Sequence, residues 1–188
     1  MATSGIDLSA FFECPKPFEN YGGKDAQVRV IPVVRKNRQD DENGIFINCT
    51  SSGDEAETQL SPLCLEPCRL YGDYTTEVME NAWQFSKVYP KHFGVDGKPT
   101  PEYFAWAEEG WANQWANRHP MGKRMNGKEA CHWWDGRALE KVEARKRIYI
   151  PLYAEQVVQQ EFFNRLRAIW DENKQHEEFT LYLMDFDA

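Results

Sequence analysis

Apolar positions along this chain first alternate and later cycle. Residues Gln27 to Val34 set Val28, Val30, Ile31, Val33 and Val34 around Pro32. This predicts a strand, and the proline, which cannot donate to a ladder, predicts that it lies at a sheet edge. Short β-rich runs recur at Ile45-Phe46-Ile47, from Leu65 to Tyr71, and from Phe179 to Met184. Between them the period lengthens to that of a helix. Thr76 to Tyr89 sets Val78, Ala82, Phe85 and Tyr89 on one side, with Thr75 or Thr76 as cap and Pro90 as stop. Thr100-Pro101-Glu102 opens a second helix whose face carries Phe104, Ala107, Trp111 and Trp115. A third is expected from about Asp135 to Tyr149, kinked or ended by Pro151. A fourth, from Glu155 to about Asp171, buries Val158, Phe162, Leu166 and Ile169. Residues 1 to about 24, 35 to 44, 50 to 59 and 117 to 131 read as loops. The expected architecture is α+β and mainly helical: one domain with a few short strands over residues 41–188, preceded by an arm of residues 1–40.

Composition narrows this picture. A chain of 188 residues can bury a core without staples, and its seven Trp are more than a core requires. A mean hydropathy of −0.71 and the lack of any run of about 18 apolar residues argue against a spanning helix. Met1 to Ser9 lacks the charged and apolar regions of a secretory signal. The five cysteines, Cys14, Cys49, Cys64, Cys68 and Cys131, form no dense framework and point to reduced thiols in a cytoplasm. Cys64 and Cys68 invite a zinc reading with Cys131 and His132, but the paired spacing of such sites is missing, so free thiols are the better reading and neither metal nor cofactor is called for.

The net charge of −8 should keep the chain off long polyanions in general. That charge is uneven. Residues 39 to 66 hold seven carboxylates and no Lys or Arg, whereas residues 123 to 147 hold eight cations against four carboxylates. A local basic field inside an acidic protein suits a small anionic ligand, or is simply a solvated helix face.

Three stretches carry candidate chemistry. On the first helix Glu80, Gln84 and Lys87 recur at i, i+4 and i+7, placing a carboxylate, an amide and an amine roughly 10 Å apart end to end. Trp83 beside them could stack on a base. The stripe is either one wall of a nucleotide-sized cleft or an ordinary exposed polar face. The second stretch, His119-Pro120-Met121-Gly122-Lys123-Arg124, is a glycine and two cations on a loop, able to wrap a phosphate but without P-loop spacing. The third, Cys131-His132-Trp133-Trp134-Asp135, offers a stacking Trp134, while Asp135 reads as a helix cap. Arg145 on the helix beyond faces either a phosphate or solvent. His92 and His132 are possible bases, though lone histidines seldom serve.

The order of these pieces resembles the NADAR superfamily. Ile45-Phe46-Ile47, a polar loop, Leu60-Ser61-Pro62, a short strand and Met79-Glu80-Asn81-Ala82-Trp83-Gln84-Phe85-Ser86-Lys87 follow that family's strand, loop, strand and Glu-aromatic-Gln-Lys helix. Met121-Gly122-Lys123-Arg124 is similar to its Gly-Arg loop. Trp134 with a basic helix, Glu161 and Leu166 on the next, and Leu181 to Asp185 complete the order over roughly residues 44 to 187. Asn81 departs from the His usual after the helix Glu, and the family's closing Trp-Gly-Asp-Gly stretch has no counterpart. The resemblance implies cleavage of an N-glycosidic bond in a ribosylated nucleotide or an ADP-ribose-type substrate, including ADP-ribosylated nucleic acid. Glu80 would stabilise the ribosyl cation or activate water and Lys87 would assist, with Asp185 at an acidic position near the site. Trp83, Gln84, Gly122, Lys123, Arg124, Trp134 and Arg145 would bind substrate. Two other classes remain open: a non-catalytic nucleotide binder on the same scaffold, and a protein-interaction module anchored by Trp106, Trp111, Trp115 and Trp133. The residues do not fix an oligomeric state.

Overall fold

In the computed structural model of the protein, residues 26–33 and 41–185 are described. The stretch 1–24 with Cys14, Val34, most of the charged loop at 35–44, and Phe186 and Asp187 lie outside them. The alternating run after residue 26 is strand β1, Gln27–Pro32, and Ile45-Phe46-Ile47 lies in β2, Gly44–Asn48. Both pair in parallel with the last strand of the chain, β8, Thr180–Asp185, in the order β1-β8-β2. Pro32 thus sits on an edge strand, as its missing N–H requires. Residues 27–32 also join the body of the fold, because β8 lies between β1 and β2.

The chain then makes a two-stranded ribbon, β3 (Cys68–Arg69) with β4 (Thr75–Thr76), and enters helix α1, Met79–Phe85. The expected helix to Tyr89 is shorter than its apolar period suggests. After Ser86 the chain straightens into β5, Lys87–Val88, which pairs antiparallel with β6, Cys131–Trp134, and β6 with β7, Arg137–Leu139. The stretch expected to open the third helix is therefore a β-hairpin. Asp135 and Gly136 both take positive φ (47° and 75°), the two-residue turn that matches strand twist. Leu65 to Tyr71 is strand only at β3. Helix α2, Pro101–Trp111, starts at Thr100 as the sequence indicates.

Helix α3 runs through Lys141–Ala144, a π turn over Arg145–Tyr149, and Ile150–Val157. Pro151 neither ends nor breaks it. A proline ring crowds the carbonyl four residues back, and the wider π turn ahead of Pro151 makes room for it. The expected helix from Glu155 to Asp171 is interrupted after Val157, and α4 covers Glu161–Asn173. Among the described residues helix accounts for 38% and strand for 21%, the strands in three small sheets. The expectation of a mainly helical domain is thus corrected to α+β with substantial sheet. Pairs of residues such as 68–69, 75–76 and 87–88 are too short to show alternation, so sequence periodicity passes over them.

Three apolar clusters hold these elements. The first packs Met79, Ala82 and Trp83 of α1 against Leu139, Ala144, Ile148 and Leu152. The second joins the parallel sheet to α4 through Ile47, Leu181, Phe162 and Phe179. The third packs Phe85 and Val88 on Tyr103, Ala107 and Trp111 of α2. The α1–α2 approach is very close: a Cβ built on Gly110 would lie 2.0 Å from the Phe85 ring. Replacing Gly110 by Ala adds about 1 kcal/mol of helix propensity, but overpacking a core costs typically 1–3 kcal/mol and more where rigid atoms collide. The clash should win, so Gly110→Ala is expected to be about 1–2 kcal/mol less stable in urea unfolding. Equal or greater stability would show that the two helices do not meet at this glycine.

Candidate functional site

Helix α1 is buried around its whole circumference, from Met79 to Phe85. Its neighbours brace it at three levels. The Thr76 hydroxyl and the Glu77 N–H both donate to the carbonyl of Trp111 (3.1 and 2.9 Å). One turn on, the Asn81 amide donates to the carbonyls of Asn113 and Trp115 (3.1 and 3.0 Å) and accepts from the N–H of Asn117 (2.9 Å). At the C-terminal end the Tyr103 hydroxyl lies 3.1 Å from the carbonyls of both Phe85 and Ser86. These contacts occupy the side of α1 facing α2 and its following loop.

Glu80 and Gln84 point elsewhere, and Lys87 joins them from β5 rather than from the helix, correcting the expected helical stripe. Lys87 Nζ donates to Gln84 Oε1 (2.8 Å), and Gln84 Nε2 donates to Glu80 Oε1 (2.7 Å). The amide is thereby oriented from both ends, accepting from the ammonium and donating to the carboxylate. All three residues are buried, with relative exposures of 7% for Glu80, 7% for Gln84 and 6% for Lys87. An exposed polar face is thus excluded. Burial makes the Lys87 ammonium release its proton more readily than an exposed lysine; Glu129 and Glu80 oppose this, and Lys141 reinforces it.

The sheet β5-β6-β7 extends this site. Lys87 stands opposite His132, His132 opposite Leu139, and Trp134 opposite Arg137. Opposed residues, and those two apart on a strand, share a face. Lys87, His132, Trp134, Arg137 and Leu139 therefore belong to one face, while Val88, Cys131 and Trp133 turn to the cluster around α2. Trp83 is stacked on His132 (centroids 4.1 Å apart) and meets Tyr149 edge-on, with Lys87 Nζ 5.7 Å from its ring centre. It is a packing residue of the first cluster, and one of its faces is already taken. Trp134 is half-buried and lines a cavity of about 180 Å³ with Asp135, Arg137, Leu139 and Arg147. A second cavity, about 260 Å³, lies between the parallel sheet and α4. Neither is lined by Glu80, Gln84 or Lys87.

His132, fully buried, is the residue whose weight the sequence understated. Ser86 Oγ lies 2.9 Å from the Trp83 carbonyl and 2.8 Å from His132 Nδ1. A carbonyl only accepts, so the hydroxyl hydrogen goes to Trp83 and His132 must donate from Nδ1. Nε2 then carries a lone pair, buried and with no partner among the described residues. Burial, with Lys87 and Lys141 nearby, pushes His132 down to about 3.

The remaining predicted site residues are more dispersed. Gly122 takes a positive φ of 83° before a 3₁₀ turn, Lys123–Met125, and Gly122, Lys123 and Arg124 are all exposed. Arg145 is exposed on α3, and Asp185 is exposed at the end of β8, in the parallel sheet. Among the tryptophans named as interface anchors, Trp111 is core and Trp115 is 79% exposed. Cys68 is buried, Cys49 and Cys131 are half-buried and Cys64 is exposed. Among the described residues no three His, Cys, Asp or Glu side chains are grouped as metal ligands, and no helix is long and apolar enough to cross a membrane. No protein-family model, curated protein or solved structure matches the chain.

The His132 environment has a measurable consequence. Its folded value of about 3 lies below its ordinary value near 6.5. Between these the unfolded chain binds a proton that the folded one refuses, so stability falls as pH falls. From pH 6.5 to 5 this amounts to about 2 kcal/mol. His132→Asn can keep a donor toward Ser86 but cannot titrate, and unfolding midpoints over that range should depend less on pH in the variant. Parallel curves for the two proteins would mean that His132 is not held neutral.

Proposed function

We propose that this chain is a cytoplasmic N-glycosidase of the NADAR type, cleaving the bond between a base and ribose in a ribosylated nucleotide or an ADP-ribose-type substrate. The observation that carries this reading is the buried Lys87–Gln84–Glu80 relay. Heterolysis of a C–N glycosidic bond leaves positive charge on the sugar and an electron pair on the departing base. Glu80, which accepts from the amide N–H of Gln84, is suited as a carboxylate to face that cation or to take a proton from the attacking water. Lys87 is suited to supply a proton or positive charge to the leaving base, and its depressed proton affinity favours that donation. Gln84 couples the two, so charge drawn toward one end is felt at the other.

The burial of these groups supports the reading. A carboxylate and an ammonium taken out of water are expensive unless paired and hydrogen-bonded, and apolar residues of similar volume would often be as stable. An ordinary structural position gains little from such a set, whereas a site that must stabilise transient charge needs fixed dipoles away from bulk water.

Glu80→Gln keeps the shape and most of the packing but removes the charge. Release of base from NAD, ADP-ribosyl-guanosine or an early riboflavin-pathway ribosylamine should fall by about 10³-fold, equivalent to roughly 4 kcal/mol, while affinity for the intact ligand should change less than tenfold. Product is followed by chromatography. Unaltered turnover in the variant removes Glu80 from the chemistry, and tight binding by the wild type with the ligand recovered whole would instead make the protein a nucleotide binder.

A further inference from the structure

The cavity beneath the β6-β7 hairpin is separate from the Lys87–Gln84–Glu80 relay but shares its sheet face. Its wall combines an aromatic plane, Trp134; two guanidinium groups, Arg137 and Arg147; a carboxylate, Asp135; and an apolar floor, Leu139. We propose that it is the phosphate-bearing subsite of the ligand, taking the sugar-phosphate portion of a nucleotide whose glycosidic bond lies at the relay. This rests on the glycosidase reading for the relay, but not for the subsite's own chemistry.

Four observations converge on it. The first is charge placement. Arg147 lines the cavity and donates from Nε to Glu143, a contact that leaves the two terminal amino groups of its guanidinium unused by that pair. Arg137 makes no ion pair among the described residues, and Lys141 lies close enough to Lys87 and His132 to depress their proton affinity. Arg137 and Arg147 on one cavity wall, with Lys141 on the element beside it, give a chain of net charge −8 a local positive field suited to an anion. Guanidinium forks suit phosphate oxygens, which they can grip in pairs.

The second is the complement of groups. A purely cationic hollow would take any anion, but Asp135 can accept from sugar hydroxyls and Trp134 can lie against a ring. The third is spacing. Trp134 and Arg137 form the cross-strand pair adjacent, on the same face, to the row containing Lys87 and His132. Two residues along a strand are roughly 7 Å, about the reach of one ribose from its glycosidic carbon toward its phosphate. The fourth is size. At about 180 Å³ the cavity is below the roughly 300–1,000 Å³ of whole-ligand pockets, so it suits part of a ligand and not an entire dinucleotide. The anion-binding pair is therefore Arg137 and Arg147, not the exposed Arg124 and Arg145 that sequence order suggests.

The test compares wild type, Arg137→Gln and Arg147→Gln by calorimetry with ADP-ribose, adenosine and inorganic pyrophosphate at two salt concentrations. Both arginines are exposed, so each variant should unfold at nearly the wild-type temperature, which is checked alongside. The expected result is ADP-ribose and pyrophosphate binding at least tenfold weaker in either variant, with a shallower salt dependence and unchanged affinity for adenosine. Equal affinity of all three proteins for pyrophosphate and ADP-ribose, or no binding of either probe by the wild type, overturns the proposal. Arginine-dependent pyrophosphate binding in a protein that cleaves no glycoside would leave the subsite standing and remove the glycosidase reading. Cleavage indifferent to both arginines would do the reverse.

Discussion

The termination of α1 after seven residues is the constraint on which the site depends. Had the helix continued, Lys87 would lie almost two turns beyond Glu80, and β5 could not pair with β6. The Tyr103 hydroxyl at the carbonyls of Phe85 and Ser86, and Ser86 Oγ at the carbonyl of Trp83, satisfy the oxygens that a helix end leaves open. The chain is then released into strand geometry, and Lys87 swings back within 2.8 Å of Gln84. One change in backbone direction thus produces the relay and attaches the hairpin bearing His132, Trp134 and Arg137 beside it.

Much of this was legible in the sequence, though not always for the right reason. Glu80 and Gln84 are four apart on a real helix, and their contact follows directly from that spacing. Lys87 reaches the same company by a different route, because the apolar positions Phe85 and Tyr89 continue a helical period through a segment that is not helical. The hairpin at 131–139 carried its own signal: Trp133 and Trp134 favour strand, and Asp135-Gly136 is a strong two-residue turn pair. An Asp ahead of a basic run is also a helix-cap signal, and that competing signal hides the hairpin. The buried weight of His132 could not be read from neighbours in sequence, since it arises from Ser86 and Trp83, both 46 or more positions away.

Asn81 braces α1 on the side away from the relay. Its amide carbonyl and amino group are both used, tying α1 to the backbone of 113–117. An imidazole offers one donor and one acceptor in its neutral form and could not make all three bonds. The amide therefore belongs with the loop after α2, which carries the exposed Trp115. Glu80 is the preceding residue in sequence but faces away, so the loop clasp and the relay lie on different sides of one short helix and need not compete.

Bracing contacts and buried titratable groups are divided along the same line. On the α2 side, hydrogen bonds at Thr76, Asn81 and Tyr103, together with the Gly110–Phe85 approach, fix the position of α1. On the β5-β6-β7 side stand Lys87, its ammonium disfavoured by burial, and His132, neutral with a lone pair at Nε2. A preorganised electrostatic site needs this division, because dipoles stabilise developing charge cheaply only when they do not have to reorient. The same division accounts for Trp83. Stacked on His132 and edged by Tyr149, it is a divider between relay and core that lowers the local dielectric, while Trp134, edge-on to Tyr71 (4.8 Å), lines the open cavity farther along the same sheet face.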